Sequence, residues 1–520
     1  MKTKNTIYAL FGTALLTLSA CSDFLEPKSQ SEYVPRDVNA LQEMLIGEAY
    51  PTSSGGEPIL AYANIFDDDL QFCKVYTDGY DFDESNKANS EITKALFTWQ
   101  PDVFVLSKNK GISVSNIWKG YYELILGANA ALDYLDDVSG SEEEKNYVKA
   151  QALALRGFYY FMLVNYYGAP YNYNKEALGV PLKLSSELLP DENILLKRNT
   201  VAEVYDQILK DLNESENLFL NLPKSKQYQP DYLVSLPMLE LLKSRVYLYM
   251  NNWKDAKKYA EKVINDWSFK LLDLNDLPEP SRSEPYYTFT SIDNPEAIWL
   301  YGKISDFMSN SSDYVSKSEE DPWWGMKITY NRDLFIASDE LLNSFADGDL
   351  RKDRYIVKEW DNNDNQFISN SYTVFGKFKI TATGAPGNTN NMALSFRLSE
   401  AYLNLAEAAA ESGETQDAIE AMKILLSKRY ETDKFVAPSE LSGEELINFV
   451  RNERRKELCF EGQRWFDLRR YGMPKITHTW AGQTFTLQKN DASYTMPIDE
   501  ETLEQNKALE QNPLAPKREI

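Results

Sequence analysis

The chain has 520 residues, a length that fits one large helical domain with insertions or two separate domains. Its 55 Lys and Arg residues stand against 79 Asp and Glu residues, which gives a net charge of −24. This balance disfavours nucleic acid and anionic membrane surfaces as the main ligand, because a strongly negative protein repels both.

The N-terminus has the features of an export signal. A basic start precedes an apolar run over residues 7–20, which is shorter than the roughly 20 apolar residues that span a bilayer. The run ends in LSAC at residues 18–21, the form of a bacterial lipobox, in which the cysteine is acylated and begins the mature chain. An ordinary secretory signal is the alternative. We predict a signal peptide over residues 1–20 and lipidation of Cys21, an anchor that does not span the membrane.

The next segment, residues 21–36, reads CSDFLEPKSQSEYVPR. It is polar, contains two prolines and shows no periodicity. Such a composition predicts a tether that holds the folded body, residues 37–520, away from the membrane.

Two cysteines remain after Cys21. Cys73 and Cys459 are separated by several hundred residues, a spacing that permits a disulfide without indicating one. We predict two buried free thiols, because free cysteine is among the most buried residue types.

Apolar residues recur at helical spacing in paired segments along the chain. Short polar turns join the later pairs, and Ala256 and Ala260 provide small residues where two helices approach closely. Thr200 and Glu203 form a capping box, and Gly168 and Pro170 follow the end of another helix. Several such units in one chain predict a mainly α fold of tetratricopeptide-like helix pairs, an α-α superhelix. The predicted helices are Ile117–Leu135, Glu142–Tyr167, a segment starting at Thr200, Leu239–Tyr249, Trp253–Trp267, Ser399–Ala410 and Thr415–Lys428.

The character of the sequence changes over residues 269–390, which are rich in proline, glycine, asparagine and aromatic residues. We predict an irregular, partly β insertion in a helical scaffold that covers about residues 37–268 and 391–472, followed by a C-terminal tail over residues 473–520. Loops held on a rigid frame often carry binding residues, so we expect the ligand site in this insertion.

A charged helix near the C-terminus carries its charges on one side. Ser442 and Glu445 predict a capped start, and the apolar stripe that begins at Leu446 continues as charged residues. Buried charges are costly unless they pair. We predict a structural ion-pair network, with Arg470 as a further candidate; its members are Glu453, Arg454, Glu457, Glu461, Arg464 and Arg469.

The sequence offers little support for catalysis or for a cofactor. Glu453 and Glu457 lie among arginines, which lower carboxyl pKa values, whereas a general acid for glycoside hydrolysis needs a raised pKa. His478 is the only histidine and lies in a polar stretch, which excludes a histidine-based metal cluster and disfavours a Ser/His/Asp triad. No phosphate-binding loop or dinucleotide motif occurs. We predict no catalytic residues, no metal and no cofactor, with a surface glycosidase as the less favoured alternative.

A calcium loop is also disfavoured. Asp361, Asn363 and Asn365 have the required spacing, but Gln366 replaces the glycine and Tyr372 replaces the bidentate glutamate. A solvated loop is the preferred interpretation.

Aromatic residues are the main candidates for ligand contact. They make up 13% of the chain, and flat rings stack on the CH faces of sugars. Tyrosines 121, 122, 159, 160 and 247 and Trp253 lie in predicted helices and are assigned to packing. The Asp67–Asp69 triplet could hydrogen-bond sugar hydroxyls or coordinate a cation, although an exposed turn is the preferred interpretation. The candidate ligand-binding residues are Trp99, Tyr286, Tyr287, Trp323, Trp324, Asp68 and Asp69.

The C-terminal segment RNERRKELCFEGQRWFDLRRYG, Arg451–Gly472, resembles the signature of the SusD/RagB family of outer-membrane nutrient-binding lipoproteins. Other family-like stretches occur in the expected order, and the resemblance spans nearly the whole mature chain. They are the lipobox, IWKGYYELILGANAAL, ALALRGFYYFMLVNYYGAPY, DGDLRKDRY, FRLSEAYLNLAEAAAESG and MPIDEETLEQNKALEQNPL. One departure is ILLSKRY at Ile424–Tyr430, where the family more often has an asparagine-containing turn into Arg-x-Arg.

The resemblance implies tetratricopeptide-like helix pairs that support variable loops. It also implies surface exposure on a bacterium of the Bacteroidota type, with a lid-like role over a SusC-like TonB-dependent transporter. We therefore predict a lipid-anchored outer-membrane protein that captures oligosaccharides for this transporter. Peptides are the alternative ligand, and a purely structural adaptor would bind neither.

Overall fold

The helices begin and end largely where capping signals stand in the sequence. The structure, a computed structural model, describes residues 34–51, 57–62, 64–73, 81, 87–187, 195–278, 289–303, 314–320, 324–356, 358–361, 366–372, 377 and 392–519. In chain order its α-helices are α1 (Val38–Ala49), α2 (Lys87–Phe97), α3 (Val103–Lys110), α4 (Ile117–Asp133), α5 (Glu142–Tyr167), α6 (Tyr171–Asn174), α7 (Val201–Leu220), α8 (Lys224–Gln227), α9 (Leu236–Tyr249), α10 (Trp253–Asn265), α11 (Asp339–Ser344), α12 (Arg351–Tyr355), α13 (Leu398–Glu411), α14 (Thr415–Leu426), α15 (Gly443–Leu458), α16 (Arg464–Arg470) and α17 (Glu500–Gln505).

Two capping boxes set the starts of the longest helices. Ser141 and Glu144 form one before α5, and Thr200 and Glu203 form the predicted one before α7. The predicted cap at Ser442 is wrong: its side chain makes no capping hydrogen bond at the start of α15. There Gly443 has a φ of +53°, so the chain enters this helix through a left-handed residue.

Neighbouring helices pack as pairs, and the predicted mainly α, tetratricopeptide-like fold is confirmed. Helix α9 packs on α10, α10 on α13, and α13 on both α14 and α15. Ala256 and Ala260 of α10 are fully buried, and the Ser244 hydroxyl of α9 donates to the Ala256 carbonyl at 2.8 Å. The small residues therefore bring the two backbones close together, as the sequence indicates.

Helices α1 and α4 approach each other closely at Gly127. A methyl group at this position would overlap the backbone carbonyl group of Glu48. We expect Gly127→Ala to lower the free energy of unfolding by about 1 to 3 kcal/mol, because the helices must separate to accommodate it. Urea unfolding followed by circular dichroism measures the change.

The neighbouring Gly47 provides the matched control for this prediction. It lies exposed in α1, and a methyl group there would contact nothing within 4 Å. Gly47→Ala should leave stability unchanged or raise it by up to about 1 kcal/mol, because alanine favours helix. Equal effects of the two substitutions would contradict the close approach.

The strands form two-stranded antiparallel sheets, several of them in the predicted insertion. They are β1 (Leu70–Phe72), β2 (Ala297–Lys303), β3 (Tyr314–Glu320), β4 (Lys327–Asp333), β5 (Phe335–Ala337), β6 (Lys358–Asp361), β7 (Gln366–Tyr372), β8 (Met392–Arg397), β9 (Ile476–Trp480) and β10 (Gln483–Leu487). The pairs are β1 with β5, β2 with β8, β3 with β4, β6 with β7, and β9 with β10. Strand β2 enters the insertion and β8 leaves it, so their ladder closes the insertion at its base.

The C-terminal tail contains an unpredicted hairpin, β9–β10, that packs on β1. It places His478 in the core, where the side chain is 3% exposed, so the interpretation of this residue as part of a polar stretch is wrong. Its ring lies between those of Phe97 and Trp99, with centroid distances of 4.0 and 4.1 Å. The exposed threonines that alternate with Ile476, His478 and Trp480 make the segment look polar.

Candidate ligand-binding site

An ion-pair network centred on Glu457 joins the insertion to the scaffold. The Glu457 carboxylate accepts hydrogen bonds from Arg397 at 2.5 Å, Arg429 at 2.9 and 3.0 Å, and Tyr355 at 3.0 Å, while Arg351 lies at 3.5 Å. Burial favours the neutral acid, but the three guanidinium groups outweigh it and hold the pKa of Glu457 well below its usual range. Glu457 is therefore a fixed anion.

The same arginines also bind carboxylates from other elements. Arg351 pairs with Asp349 at 2.7 Å and with Glu453 at 2.6 Å. Arg429 pairs with Glu296, just before β2, at 2.6 Å. The network thus connects α12, the two ends of the insertion and α15.

The other predicted network residues have partners of different kinds. Arg454 pairs with Asp467 at 2.9 Å, and Glu461 accepts from Lys377 at 2.5 Å. Arg469 has no carboxylate partner among the described residues and donates instead to the Gly168 carbonyl at the end of α5. Burial lowers the pKa of Arg469 to about 10.

The acidic triplet Asp67–Asp69 is not an exposed turn. Asp67 and Asp69 are 1% and 0% exposed, and Asp68 is mostly buried. Both Asp68 oxygens accept from Arg464, at 2.7 and 2.8 Å, and Asp69 accepts from Arg455 at 2.6 Å. Burial opposes ionisation of Asp68, but Arg464 and Arg455 outweigh it and hold the pKa of Asp68 well below its usual range.

The candidate aromatic residues have different environments. Trp99 is 3% exposed, has a left-handed φ of 53°, and donates through Nε1 to the Phe66 carbonyl at 3.0 Å. The expected loop aromatic is therefore a core residue. By contrast, Trp324 is 79% exposed in the β3–β4 turn, next to Gly325. Tyr286, Tyr287 and Trp323 lie outside the described residues, as do Cys21, Asn363 and Asn365.

Other aromatic and sulfur residues lie where the sequence predicts. Tyr121, Tyr159 and Tyr160 are buried, and the remaining helical aromatics pack against the core. Cys73 and Cys459 are both buried thiols, as predicted.

A cleft of about 780 Å³ lies beside the Asp68–Arg464 pair. It is bordered by β1, by the start of α11 and by β9. Its polar lining residues are Asp68, Gln71, Ser338, Asp339, Glu340, Arg464, Lys475, Thr477 and Thr479. Strand β5, which pairs with β1 at this cleft, follows β4 almost directly in the chain. The base of the β3–β4 hairpin, which carries Trp324 at its turn, therefore lies at the border of the cleft.

Most of these cleft residues were not predicted from the sequence as ligand contacts. The alternation in ITHTW, with Thr477 and Thr479 exposed and Ile476, His478 and Trp480 buried, was the available signal for a half-buried strand. Asp339 and Glu340 had no such signal, because their place depends on the pairing of β1 with β5.

The fold and the cleft define a helical-repeat protein with a candidate ligand site where its β-rich insertion meets the C-terminal hairpin. One family model, described as starch-binding associating with outer membrane, matches residues 23–248, and a second, described as the SusD family, matches residues 245–514. The chain belongs to the SusD/RagB family.

Known relatives and solved structures agree with this assignment. SusD-like protein P38 of Formosa agariphila is 26% identical over 75% of this chain and 78% of its own. A putative sugar binding protein from Bacteroides vulgatus has a TM-score of 0.63 at 22% identity, covering 93% of this chain and 99% of its own. A SusD superfamily protein from Bacteroides thetaiotaomicron has a TM-score of 0.64 at 20% identity, covering 92% and 98%. At these identities the solved structures establish the shared fold.

The family descriptions name association with the outer membrane. Within the described part of the chain, every helix is too short or too polar to cross a membrane.

Proposed function

We propose that this protein is a cell-surface lipoprotein that captures oligosaccharides and delivers them to a SusC-like TonB-dependent transporter. Family membership supports a role in glycan binding at the outer membrane. Two proteins of Bacteroides vulgatus with the same fold are described as a putative sugar binding protein and a SusD-like carbohydrate binding protein.

The exposed side chain of Trp324 is the observation that carries the proposal for this chain. It stands at the turn of a two-stranded hairpin, with Met326 also 63% exposed nearby. A large aromatic ring exposed to this degree on a hairpin turn provides a stacking surface for the apolar face of a sugar. The cleft lies at the other end of this hairpin, beside β5, and has hydroxyl and amide groups that can bind sugar hydroxyls. Trp323, Tyr286 and Tyr287 remain proposed contacts in the same insertion.

The lipid on Cys21 would keep the protein beside its transporter. An anchor confines both partners to one membrane plane, so transfer of a captured glycan resembles an intramolecular step. The acidic surface, with a net charge of −24, suits exposure to solvent outside the cell.

The buried aspartates beside the cleft, Asp67 and Asp68, are poorly suited to acid catalysis of hydrolysis. Asp68 is held ionised by Arg464 and is a poor proton donor. Burial raises the pKa of Asp67 well above its usual value, but this residue is 1% exposed and out of reach of a substrate. A glycosidase needs an accessible carboxylic acid beside the scissile bond.

Calorimetric titration of the soluble form that begins after Cys21, against plant, host and microbial glycans with peptide mixtures alongside, tests this proposal. We expect saturable glycan binding without release of reducing sugar. We further expect Trp324→Ala to weaken this binding by about five- to thirtyfold, because a stacked aromatic contributes roughly 1 to 2 kcal/mol.

Tyr173→Ala is the matched control for the loss of an exposed ring. Tyr173 is 59% exposed on α6 of the scaffold, outside the insertion, and its substitution should leave glycan affinity unchanged. Unchanged binding by the Trp324 variant would remove the hairpin from the site. Saturable binding of peptides alone would replace glycans with peptides as the ligand.

A further inference from the structure

The two regions of the proposed glycan site lie at opposite ends of the β3–β4 hairpin. Trp324 stands in the turn, beyond the pair that Glu320 makes with Lys327. At the other end, the last pair joins Tyr314 to Asp333. The seven pairs between these ends follow one another without a shift of register. A β-bulge would bend the ladder, so its regular register means that the two strands run extended from end to end.

The base of the hairpin meets the cleft directly. The Cys73 amide, at the end of β1, donates to the carbonyl of Leu334, the residue after β4, at 2.9 Å. Cys73 also lines the cleft. A strand rises about 3.3 Å per residue, so the β3–β4 ladder separates Trp324 from this edge of the cleft by about 20 Å. One sugar unit is too short to contact both regions.

The cleft itself is elongated. Consecutive residues of two strands line it, residues 70–73 along β1 and residues 475–479 along β9. Side chains of a strand alternate between two faces, so a groove that meets every residue in turn runs along the strand edge. The five residues beside β9 give this groove a length of about 13 Å. Its shape therefore suits a linear chain better than a single sugar ring.

A ligand that contacts both regions gains affinity because the two contacts belong to one molecule. Once the cleft holds one part of a chain, the rest of the chain meets Trp324 at a high effective concentration and without a second loss of translational freedom. Stacking on the indole then adds to the hydrogen bonds in the cleft. A chain that cannot span the distance gains nothing from the second contact.

We propose that the protein selects linear glycan chains of about five or more sugar units, long enough to reach from the cleft to Trp324. The lower limit follows from the span of the hairpin, because an extended glycan advances by roughly 5 Å per sugar unit, about one and a half residues of a strand. This inference rests on the proposed glycan-binding function and specifies the length of the ligand. Shorter chains bind at one region alone and weakly.

Calorimetry with fragments of one glycan tests this proposal. The best-binding linear glycan of the panel is cut into fragments of defined length, from two to eight sugar units, and each fragment is titrated. We expect the affinity to rise by at least about tenfold between three and six units, where the second contact becomes possible. A smaller rise would overturn the inference and leave the proposed function intact.

Substitutions at the two regions show whether one chain spans them. Trp324→Ala, or Thr477→Val with Thr479→Val in the cleft, should reduce the rise in affinity with length by about threefold or more, because each variant weakens one of the two contacts. Thr484→Val is the control, since Thr484 is exposed on the neighbouring strand β10 and is not among the described lining residues of the cleft. A rise that neither variant reduces would overturn the inference.

Shortening the hairpin tests the distance itself. Deletion of Ser318, Glu319, Ile328 and Thr329 removes two neighbouring pairs, keeps the alternation of faces and brings the turn about 7 Å closer to the cleft. The chain length at which affinity rises should then fall by about one sugar unit. Thermal melting checks that the shortened protein folds, and the substitutions at the two regions decide the question if it does not. An unchanged length threshold in a folded shortened protein would overturn the inference, whereas absence of binding to every fragment and glycan by the unaltered protein would remove the proposed function.

Discussion

Glu457→Gln is expected to lower the free energy of unfolding by about 3 to 5 kcal/mol, because it leaves buried positive charge without its counterion. Glu457 is 0% exposed, and its carboxylate is shared by Arg351, Arg397 and Arg429. Glutamine keeps the shape of the side chain and removes the charge. Urea unfolding followed by circular dichroism measures the loss, which is large beside the roughly 5 to 15 kcal/mol that stabilises a typical domain.

Glu444→Gln is the control for this experiment. Glu444 lies exposed in the first turn of the same helix, α15, and its substitution should change stability by no more than about 1 kcal/mol. A loss below 1 kcal/mol for Glu457→Gln would mean that Glu296 and Asp349 balance the positive charge of the arginines without Glu457.

The second large effect is a loss of folding stability at acidic pH, which we expect from His478. Burial lowers the pKa of His478 to about 4. The Phe97 and Asp67 carbonyl oxygens lie 2.7 and 2.8 Å from the ring nitrogens and raise this pKa, but burial is the larger effect. Since the unfolded pKa is about 6.5, the unfolded chain binds this proton first as pH falls. The contribution of neutral His478 to the free energy of unfolding is therefore complete above pH 6.5. It decreases below that pH, by about 2 kcal/mol between pH 7 and pH 5.

Nuclear magnetic resonance can follow this proton directly. His478 is the only histidine in the chain, so the imidazole signals of an untagged protein need no assignment. We expect no titration above pH 5 in the folded state, and a pH dependence of stability that is flatter in a His478→Gln variant. A His478 pKa of 6.5 or above would show that the two carbonyl groups outweigh burial.

The helical scaffold could be predicted from local signals in the sequence. The predicted Glu142–Tyr167 helix has the observed bounds of α5, because the capping box at its start and Gly168 with Pro170 at its end are all local. The burial of charge in α15 could also be predicted, since Glu453 and Glu457 continue an apolar stripe. The partners of these two carboxylates could not be predicted, because Arg351 and Arg397 lie far away in sequence.

The cleft depends on contacts between distant parts of the chain. Asp68 looks like part of a solvated acidic turn until Arg464 is placed beside it by the packing of α16. Trp99 looks like a loop aromatic beside a proline, yet His478, from the opposite end of the chain, covers one face of its ring. Local patterns identify helices, whereas partners of buried charges and rings are set by tertiary packing.

The closed base of the insertion has a consequence for how such proteins change over time. Ala297 pairs directly with Arg397 in the β2–β8 ladder, and the Leu398 amide donates to the Glu296 carbonyl at 3.0 Å. Glu296 and Arg397 also belong to the Glu457 network, so both ends of the insertion are held at one point of the scaffold. Doubling the length of a loop whose ends are held together costs only about 0.6 kcal/mol. The loops of the insertion can therefore be lengthened, shortened or exchanged between relatives as one unit, while the helical frame that holds them stays the same.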